Sequence, residues 1–285
     1  MFHDALVPFA ERRLIFMKYK ALALDLDGTL TDSKKRVSDV NKKAVSDAID
    51  KGVKVILASG RPTFGVMPVA YELELDKKGG YVLSYNGGNI IDCKTGQLIY
   101  GNVLPEVCIP DICRLSRENG VYALTYYNDV VIAESDTDEY VVREATCNSA
   151  QIKKIDDLEK FVNYPVAKIL VAGEHSKLVP IQQKMLEKYG DIINVFFSED
   201  YFLEFVPAGV AKDESLKELL KILDIEEKEL IACGDGMNDI PMLKIAGLPV
   251  AMSNAYDAVK EYADVIAPSN DENGVAYIID KYILN

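Results

Sequence analysis

Four clusters of polar residues carry side chains that could do chemistry. They are residues 25–29 (DLDGT), residues 59–61 (SGR), Lys212 and residues 234–239 (GDGMND). Asp25 and Asp27 are separated by one residue, so strand alternation predicts that both carboxylates point the same way. Two carboxylates so close repel each other unless a cation shares them. Asp235 and Asp239 add further oxygens, and an all-oxygen set of this kind predicts a magnesium site.

The remaining polar residues of these clusters are suited to holding a phosphate group. Thr29, Ser59, Lys212 and Asn238 offer hydroxyl, amide and ammonium donors. Taken alone, each of the first three patterns is more often an ordinary turn, cap, loop or helix start than a site, whereas the pattern at 234–239 is unusually rich in polar residues and favours a site. Their joint occurrence, each beside a predicted strand or helix, is what predicts one site that combines a metal ion with a phosphate.

The elements around the clusters predict how they meet. Apolar runs at 20–24, 53–58, 81–85 and 229–233 are typical of buried strands, and helical spacing appears between them. A strand–helix–strand rhythm predicts a parallel α/β sheet. In such sheets ligands bind at the carboxyl ends of the strands, because loops and helix N-termini converge there. We therefore expect a doubly wound, Rossmann-like parallel sheet with the four clusters at one edge.

The middle of the chain has a different pattern, in which predicted β-hairpins alternate with helices. This mixture predicts an α+β module inserted into the α/β sheet. The first sixteen residues lack the basic region and cleavage site of a signal peptide. Since an apolar strand follows Met17 closely, we expect either that Met17 is the functional initiator or that residues 1–16 are a peripheral extension, with an ordinary N-terminal helix as the alternative. The expected division is an N-terminal extension at 1–16, a discontinuous catalytic core at 17–88 and 192–285, and a cap at 89–191.

Composition narrows the possible partners. Of the 285 residues 49% are hydrophobic, which is enough for a substantial core, and the formal net charge is −13. Such a charge repels nucleic acid and anionic membranes, so neither is an expected partner. No apolar run approaches the roughly 18 residues of a membrane helix.

Cysteine and histidine usage points away from zinc and disulfides. The five cysteines have no C-x-x-C spacing, and the two histidines, His3 and His175, are far apart. This pattern predicts reduced thiols and a cytoplasmic protein, and it disfavours a zinc site or a histidine-based triad. The chemistry is therefore expected from carboxylates, lysine and hydroxyls.

In this order, the four clusters resemble the four motifs of the haloacid dehalogenase-like hydrolase superfamily. The long insertion between the second and third motifs looks like the α/β cap of its sugar-phosphatase branch, the Cof type. The turn at 85–88 (YNGG) is also similar to that branch, and the resemblance covers residues 17–285. One departure is Asp213, since the branch usually has glycine after the motif lysine, and this carboxylate could add negative charge near the phosphate.

The resemblance implies a role for each motif residue. Asp25 would be the nucleophile that attacks phosphorus, and Asp27 would protonate the leaving oxygen and then activate water. Mg²⁺ would be held by the side chains of Asp25, Asp235 and Asp239 and by the backbone carbonyl of Asp27. Contacts to phosphate and substrate would come from Thr29, Ser59, Gly60, Arg61, Asn86, Lys212 and Asn238.

These roles imply a magnesium-dependent phosphatase that acts on small phosphorylated metabolites, with sugar phosphates as the favoured class. Family members that keep their phosphoenzyme for ion pumping have threonine at the position of Asp27, so hydrolysis of the aspartyl-phosphate is favoured here. Two alternatives stay open, a phosphomutase and a non-catalytic protein that binds phosphorylated metabolites. The expected assembly is a monomer or a weak homo-oligomer.

Overall fold

The computed structural model describes residues 18–285, and the extension expected at 1–16 lies outside them. Its strands, in chain order, are β1 (Ala21–Leu24), β2 (Lys54–Ala58), β3 (Tyr81–Ser84), β4 (Asn89–Asp92), β5 (Leu98–Gly101), β6 (Tyr122–Tyr127), β7 (Val130–Ala133), β8 (Gln151–Lys154), β9 (Ile169–Ala172), β10 (Ile193–Glu199), β11 (Phe202–Pro207), β12 (Leu230–Gly234), β13 (Leu248–Met252) and β14 (Val265–Ala267).

Helices connect most of these strands. In chain order they are α1 (Asp39–Asp50), α2 (Thr63–Glu72), α3 (Leu75–Lys78), α4 (Ile109–Glu118), α5 (Glu139–Cys147), α6 (Leu158–Phe161), α7 (His175–Tyr189), α8 (Lys212–Ile222), α9 (Ile240–Ile245), α10 (Asp257–Lys260) and α11 (Gly274–Ile279).

The strands form two sheets. The larger sheet has eight strands in the order β14-β13-β12-β1-β2-β3-β4-β5, and the smaller has six in the order β10-β11-β9-β6-β7-β8. From β14 to β3 every neighbouring pair in the larger sheet is parallel, whereas β4 and β5 are added antiparallel. The predicted α/β class with a parallel core and a second, mixed module is confirmed.

Strand β1 shows why the centre of the larger sheet forms as it does. All four of its residues are buried, as expected for a parallel strand that is covered on both faces. Leu22 and Leu24 pack into one hydrophobic cluster and Ala21 and Ala23 into the cluster on the opposite face. Because β1 is held between β12 and β2, the loop that follows Leu24 is fixed at the middle of the sheet.

The first connecting helix follows its sequence signal closely. Ser38, the N-cap residue of α1, has extended backbone angles, and its side chain accepts a hydrogen bond from the backbone N–H of Asn41 at 3.1 Å. Buried Ala44, Val45 and Ala48 then face the core from helix α1. Local capping and apolar spacing thus define this helix before any tertiary contact is considered.

The two sheets divide the chain differently from the expected boundaries. The hairpin of β4 and β5 extends the larger sheet, although residues 89–101 were assigned by sequence to the cap. Strands β10 and β11 pair with β9 in the smaller sheet, although residues 193–207 were assigned to the core. The sheet to which a strand belongs depends on the strands with which it forms hydrogen bonds. The apolar pattern along the chain does not reveal those partners. The division into domains stays a prediction, with the sheets changing near residues 102 and 208.

Helix α5 and strand β8 were not anticipated from the sequence, whereas the hairpin of β6 and β7 was. Strand β8 is short and mostly exposed, so it lacks the apolar run on which strand prediction depends. The five cysteines are all unpaired. Among residues 18–285, no helix is both long enough and apolar enough to cross a bilayer.

Candidate active site

Four neighbouring strands of the larger sheet end at the same edge. In spatial order they are β12, β1, β2 and β3, and the loops after them carry residues 235–239, 25–29, 59–61 and 85–88. Helix α8 begins at Lys212 and adds its first side chain to this edge, where Nζ reaches Asp25. The structure therefore brings all four sequence motifs together, as the carboxyl-end rule for parallel sheets predicts.

Asp25, Lys212 and Asp239 form what we call the buried cluster. Nζ of Lys212 donates to Oδ1 of Asp25 and to Oδ1 of Asp239, at 2.6 Å in each case. Burial raises the pKa of Asp25 well above its usual range, and the negative charge of Asp239 adds to this effect. Burial by itself would lower the pKa of Lys212, but the two carboxylates outweigh it and raise that pKa. The lysine is thus a permanent cation between two acids.

The carboxylate of Asp239 is fully engaged. Its Oδ1 accepts from Lys212, and its Oδ2 accepts from the backbone N–H groups of Asp235, at 3.0 Å, and Gly236, at 2.9 Å. These contacts shape the loop after β12 and orient the lysine at the same time. In this geometry Asp239 acts mainly by holding other groups in place.

Asp235, in the loop after β12, contacts the loop after β1. Its Oδ1 accepts a hydrogen bond from the hydroxyl of Thr29 at 2.8 Å. Burial is the main reason that the pKa of Asp235 rises to about 6, and the hydrogen bond from Thr29 opposes it. Gly28 has a φ of +87°, and a Cβ there would lie 2.2 Å from Oδ2 of Asp235. Only glycine lets these two loops come so close.

The acidic groups at this edge meet the requirements of a hard divalent cation. One carboxylate oxygen from each of Asp25, Asp235 and Asp239 lies within 4.8 Å of the others. Among residues 18–285, Lys212 is the donor to the Asp25 side chain and uses Oδ1, which leaves Oδ2 available. Burial is the main cause of the raised pKa values of Asp25 and Asp235, and the negative charge of Asp239 adds to both. An all-oxygen set with excess negative charge fits Mg²⁺.

Asp27, Arg61 and Lys35 form what we call the outer cluster. Arg61 donates from Nε and Nη2 to the two oxygens of Asp27, at 2.7 and 2.6 Å, and Lys35 donates to Oδ1 at 2.7 Å. Burial would raise the pKa of Asp27, but the hydrogen bonds and charges of Arg61 and Lys35 hold it below its usual value. Among the described residues, Asp25 and Asp27 have different side-chain hydrogen-bond partners, and both lie beyond the end of β1, where strand alternation need not hold.

Lys35 is a functional candidate that the sequence reasoning missed. It lies in the turn between β1 and α1 with a φ of +60°, and the hydrogen bond from its N–H to the carbonyl of Asp32 closes that turn. The basic run at 34–36 (KKR) so soon after the first motif was the available signal.

The loops after β2 and β3 carry Ser59, Gly60, Arg61 and Asn86, which the sequence predicts to contact phosphate or substrate. The side chain of Ser59 is buried, and its Oγ accepts from the backbone N–H of Arg61 at 3.1 Å. Asn86 has left-handed backbone angles, its N–H donates to the Ser59 carbonyl at 2.9 Å, and its Oδ1 accepts from Nδ2 of Asn238 at 3.1 Å. Within the described part of the chain, the hydroxyl proton of Ser59 and the second amide hydrogen of Asn238 have no acceptor. A Cβ on Gly60 would lie 3.2 Å from the Asn86 amide, so these loops pack tightly.

The family model for haloacid dehalogenase-like hydrolases matches residues 22–279, which is most of the chain and includes all four motifs. The chain belongs to this family.

Individual relatives agree with the family match. A protein from Streptococcus pyogenes serotype M6, a phosphatase by name, is 32% identical over 94% of this chain and 100% of its own length. The 5-amino-6-(5-phospho-D-ribitylamino)uracil phosphatase of Bacillus subtilis strain 168 is 29% identical over 93% of this chain and 98% of its own. A solved haloacid dehalogenase-like hydrolase from Bacteroides thetaiotaomicron is 44% identical with a TM-score of 0.89, covering 93% of this chain and 99% of that one. This chain is a Cof-type member of the family and a phosphatase.

Asp213, where this haloacid dehalogenase-like hydrolase departs from the usual motif, does not bring a free charge to the site. Its carboxylate accepts a hydrogen bond from Lys217 at 3.2 Å, one turn further along helix α8. Lys217 also donates to Glu214 at 2.7 Å, so it offsets the charge of Asp213 only in part. The departure leaves the buried cluster intact.

Proposed function

We propose that this chain hydrolyses phosphate monoesters of small metabolites, with Mg²⁺ as cofactor and Asp25 as the nucleophile. The observation that carries the proposal is the Asp25 carboxylate. It is buried at the carboxyl end of the central strand, oriented by Lys212 through Oδ1 and available at Oδ2. A carboxylate held in this way is positioned to attack phosphorus, and a lysine beside it can neutralise the charge of the incoming phosphoryl group.

In the proposed reaction the phosphoryl group is transferred twice. An oxygen of Asp25 attacks phosphorus, the bond from phosphorus to the ester oxygen breaks, and that oxygen takes a proton from Asp27. Water then attacks the aspartyl-phosphate and gives a proton to Asp27, and inorganic phosphate leaves as the Asp25 carboxylate is restored. Lys212, Ser59 and Asn238 would hold the phosphoryl oxygens during both transfers.

Asp25, Asp235 and the backbone carbonyl of Asp27 would hold the Mg²⁺ ion, with Asp239 orienting the loop. When bound, the ion neutralises phosphoryl charge and orients the phosphate group. Asp27 must carry a proton to act as an acid, although Arg61 and Lys35 lower its pKa in the free site. An arriving phosphate ester offers these two cations competing oxygens, which would release Asp27 for proton transfer.

Sugar phosphates are the substrate class that we favour. The Bacillus subtilis relative acts on a phosphorylated ribityl compound, as its name states. The smaller sheet also brings polar and aromatic residues to the motif loops, as the contact between Lys168 and the Gly60 carbonyl illustrates. Residues of this module are placed to contact the part of the substrate beyond its phosphate. The unpaired cysteines and the acidic net charge suit a cytoplasmic enzyme.

A panel of phosphorylated metabolites, assayed for phosphate release, tests the proposal. We expect hydrolysis in MgCl₂, loss of activity in EDTA and recovery when Mg²⁺ is restored in excess. Asp25→Asn should lower kcat by a factor on the order of 10⁵, while Asp213→Asn on the same sheet edge should stay close to wild type. Metal-independent turnover, or full activity of Asp25→Asn, would contradict the proposal. Isomerisation of sugar phosphates without phosphate release would identify a phosphomutase, and binding without turnover a non-catalytic protein.

A further inference from the structure

A buried ion pair in the smaller sheet reaches the loops of the candidate active site. Lys168 directly precedes β9, and Glu204 lies on the neighbouring strand β11. Their side chains are 2% and 5% exposed, and Nζ lies 3.2 Å from Oε1. Removing two charges from water is costly, so a buried ion pair is weak evidence for stability. The contacts of this pair with the motif loops indicate a role other than stabilising the fold.

The surroundings of Lys168 leave its ammonium group few partners. Nζ lies 5.6 Å from the ring centre of Tyr126 and 6.0 Å from that of Tyr85, and these ring faces favour a cation. Besides Glu204, Nζ donates to the backbone carbonyl of Gly60 at 3.4 Å. The lysine thus extends from the smaller sheet to the loop after β2.

The contact with Gly60 orients a peptide group of the phosphate-binding loop. A trans peptide is planar, so its C=O and N–H point in opposite directions. Lys168 holds the carbonyl of the peptide between Gly60 and Arg61, and the N–H of that peptide donates to Oγ of Ser59 at 3.1 Å. Because Oγ of Ser59 already accepts from its own loop, its proton is left for an outside acceptor such as a phosphoryl oxygen.

Glu204 acts on the loop after β3 in a corresponding way. An ionised carboxylate can only accept, so it selects the NH₂ end of the Asn86 amide, with Nδ2 at 3.5 Å from Oε2. The other end of that amide, Oδ1, then accepts from Nδ2 of Asn238 at 3.1 Å. The ion pair therefore contacts two amides at the site, and through the first of them the hydroxyl of Ser59, without a hydrogen bond to Asp25 itself.

We propose that Lys168 and Glu204 are positioning residues for phosphoryl transfer. From the smaller sheet they hold the Gly60–Arg61 peptide and the Asn86 amide, so that Ser59 and Asn238 present their donors to the phosphoryl group. This inference rests on the proposed function and adds a requirement to it: the phosphate-binding loops have their productive geometry only when the smaller sheet is packed against them.

The test removes both charges together. Single variants leave a buried charge unpaired, whereas Lys168→Met with Glu204→Leu replaces the pair with apolar residues of similar size. We expect this double variant to keep a thermal midpoint close to wild type. We also expect about tenfold lower kcat/KM for p-nitrophenyl phosphate and about tenfold weaker binding of orthovanadate, measured by calorimetry, because the donors are misplaced. The isosteric variant Glu204→Gln, which retains the volume of the side chain, should weaken vanadate binding in the same direction.

A more exposed ion pair in the same module, with Lys188 62% and Asp111 17% exposed, provides a control for the loss of an ion pair away from the site. Lys188 of α7 and Asp111 of α4 form an ion pair that contacts none of the four motif loops. Lys188→Met with Asp111→Leu should leave vanadate affinity and kcat/KM unchanged, even if it lowers the thermal midpoint. Wild-type vanadate affinity in both the Lys168/Glu204 double variant and Glu204→Gln would overturn the inference. Vanadate binding separates this outcome from failure of the proposed function, which would appear as absence of turnover in the wild type.

Discussion

The buried cluster and the outer cluster use the same residue types in opposite ways. Each sets an aspartate of the first motif against basic side chains, and the two aspartates are only two residues apart. In the buried cluster the Lys212 side chain is 1% exposed, and the pKa of Asp25 is raised. In the outer cluster the Lys35 side chain is 60% exposed, and the pKa of Asp27 is lowered.

This difference follows from whether water or an anion can compete for the charged groups of each cluster. The buried lysine donates hydrogen bonds to two carboxylates, and water cannot take its place, so its position is fixed. The outer carboxylate is paired with Arg61 and with the exposed Lys35, two cations for which the oxygens of an anionic substrate can compete. We infer that the buried cluster provides the rigid nucleophile and the outer cluster provides a proton-transfer group that rearranges when substrate binds.

The largest expected effect comes from breaking the buried cluster. Lys212→Met leaves two buried carboxylates without their cation, so we expect a loss of about 3–5 kcal/mol in the free energy of unfolding. Activity should fall about 10³-fold because a donor to the phosphoryl group is lost. Urea unfolding and p-nitrophenyl phosphate turnover measure both. Lys217→Met, on the exposed side of the same helix, should cost less than about 1 kcal/mol, and equal losses in the two variants would contradict the comparison.

Disrupting the outer cluster at Asp27 should lower activity but leave stability nearly unchanged. Asp27→Asn removes the proton donor, and we expect kcat to fall about 10²-fold or more. The free energy of unfolding should change by less than about 1 kcal/mol, because the side chain is partly exposed and its pairs with Arg61 and Lys35 are screened by solvent. A decrease in stability as large as that of Lys212→Met would show that the two clusters do not differ as proposed.

The raised pKa values predict a pH dependence for the metal-free protein. Between the ordinary value of 3.8 and about 6, the native state holds a proton on Asp235 that the unfolded state has lost. Stability should therefore fall as the pH rises through this window. Mg²⁺ should reverse the trend, with a larger rise in thermal midpoint near pH 7 than near pH 5, since protons compete with the metal.

Thermal unfolding with and without MgCl₂ at the two pH values measures this effect. Asp235→Asn is the matched variant, because it keeps the shape of the side chain but cannot titrate. We expect its response to Mg²⁺ to be smaller and nearly independent of pH. An equal response of the wild type at both pH values would speak against a metal site at this cluster.

The smallest effect is expected at Lys35. Lys35→Gln removes one of the contacts to Asp27 but leaves the two from Arg61, so kcat/KM should change by no more than about fivefold, equivalent to about 1 kcal/mol. Lys34→Gln is the neighbouring control and should leave steady-state kinetics unchanged. A loss comparable to that of Asp27→Asn would make Lys35 an essential member of the outer cluster.

Much of the larger sheet could be predicted because its signals are local. The apolar run at 20–24 and the run at 229–233 are short, buried and followed by polar residues, and they became the adjacent strands β1 and β12. The middle of the chain is predicted as hairpins that alternate with helices. The pairing of β10 with β11, and thereby with β9, depends on residues distant in sequence, which local patterns do not show.

The side chains of the candidate site, like the strands, could be predicted only where a local pattern in the sequence marks them. Asp25, Thr29, Lys212, Asp235 and Asp239 were predicted to meet, and they do. Lys35, Lys168 and Glu204 were not selected, because nothing in their neighbours along the chain distinguishes them from ordinary charged residues. Burial and contacts with motif loops, which only the folded chain has, single them out.

The sequence by itself determined the family, the parallel core and the four motifs that converge at its edge. These properties follow from apolar periodicity and from polar residues at strand ends, which are local patterns. The tertiary structure alone decided that Asp25 is buried and paired with Lys212, that Asp27 is held by Arg61 and Lys35, and that the smaller sheet reaches Gly60 and Asn86. The physical reason is that burial and charge pairing depend on which distant segments pack together.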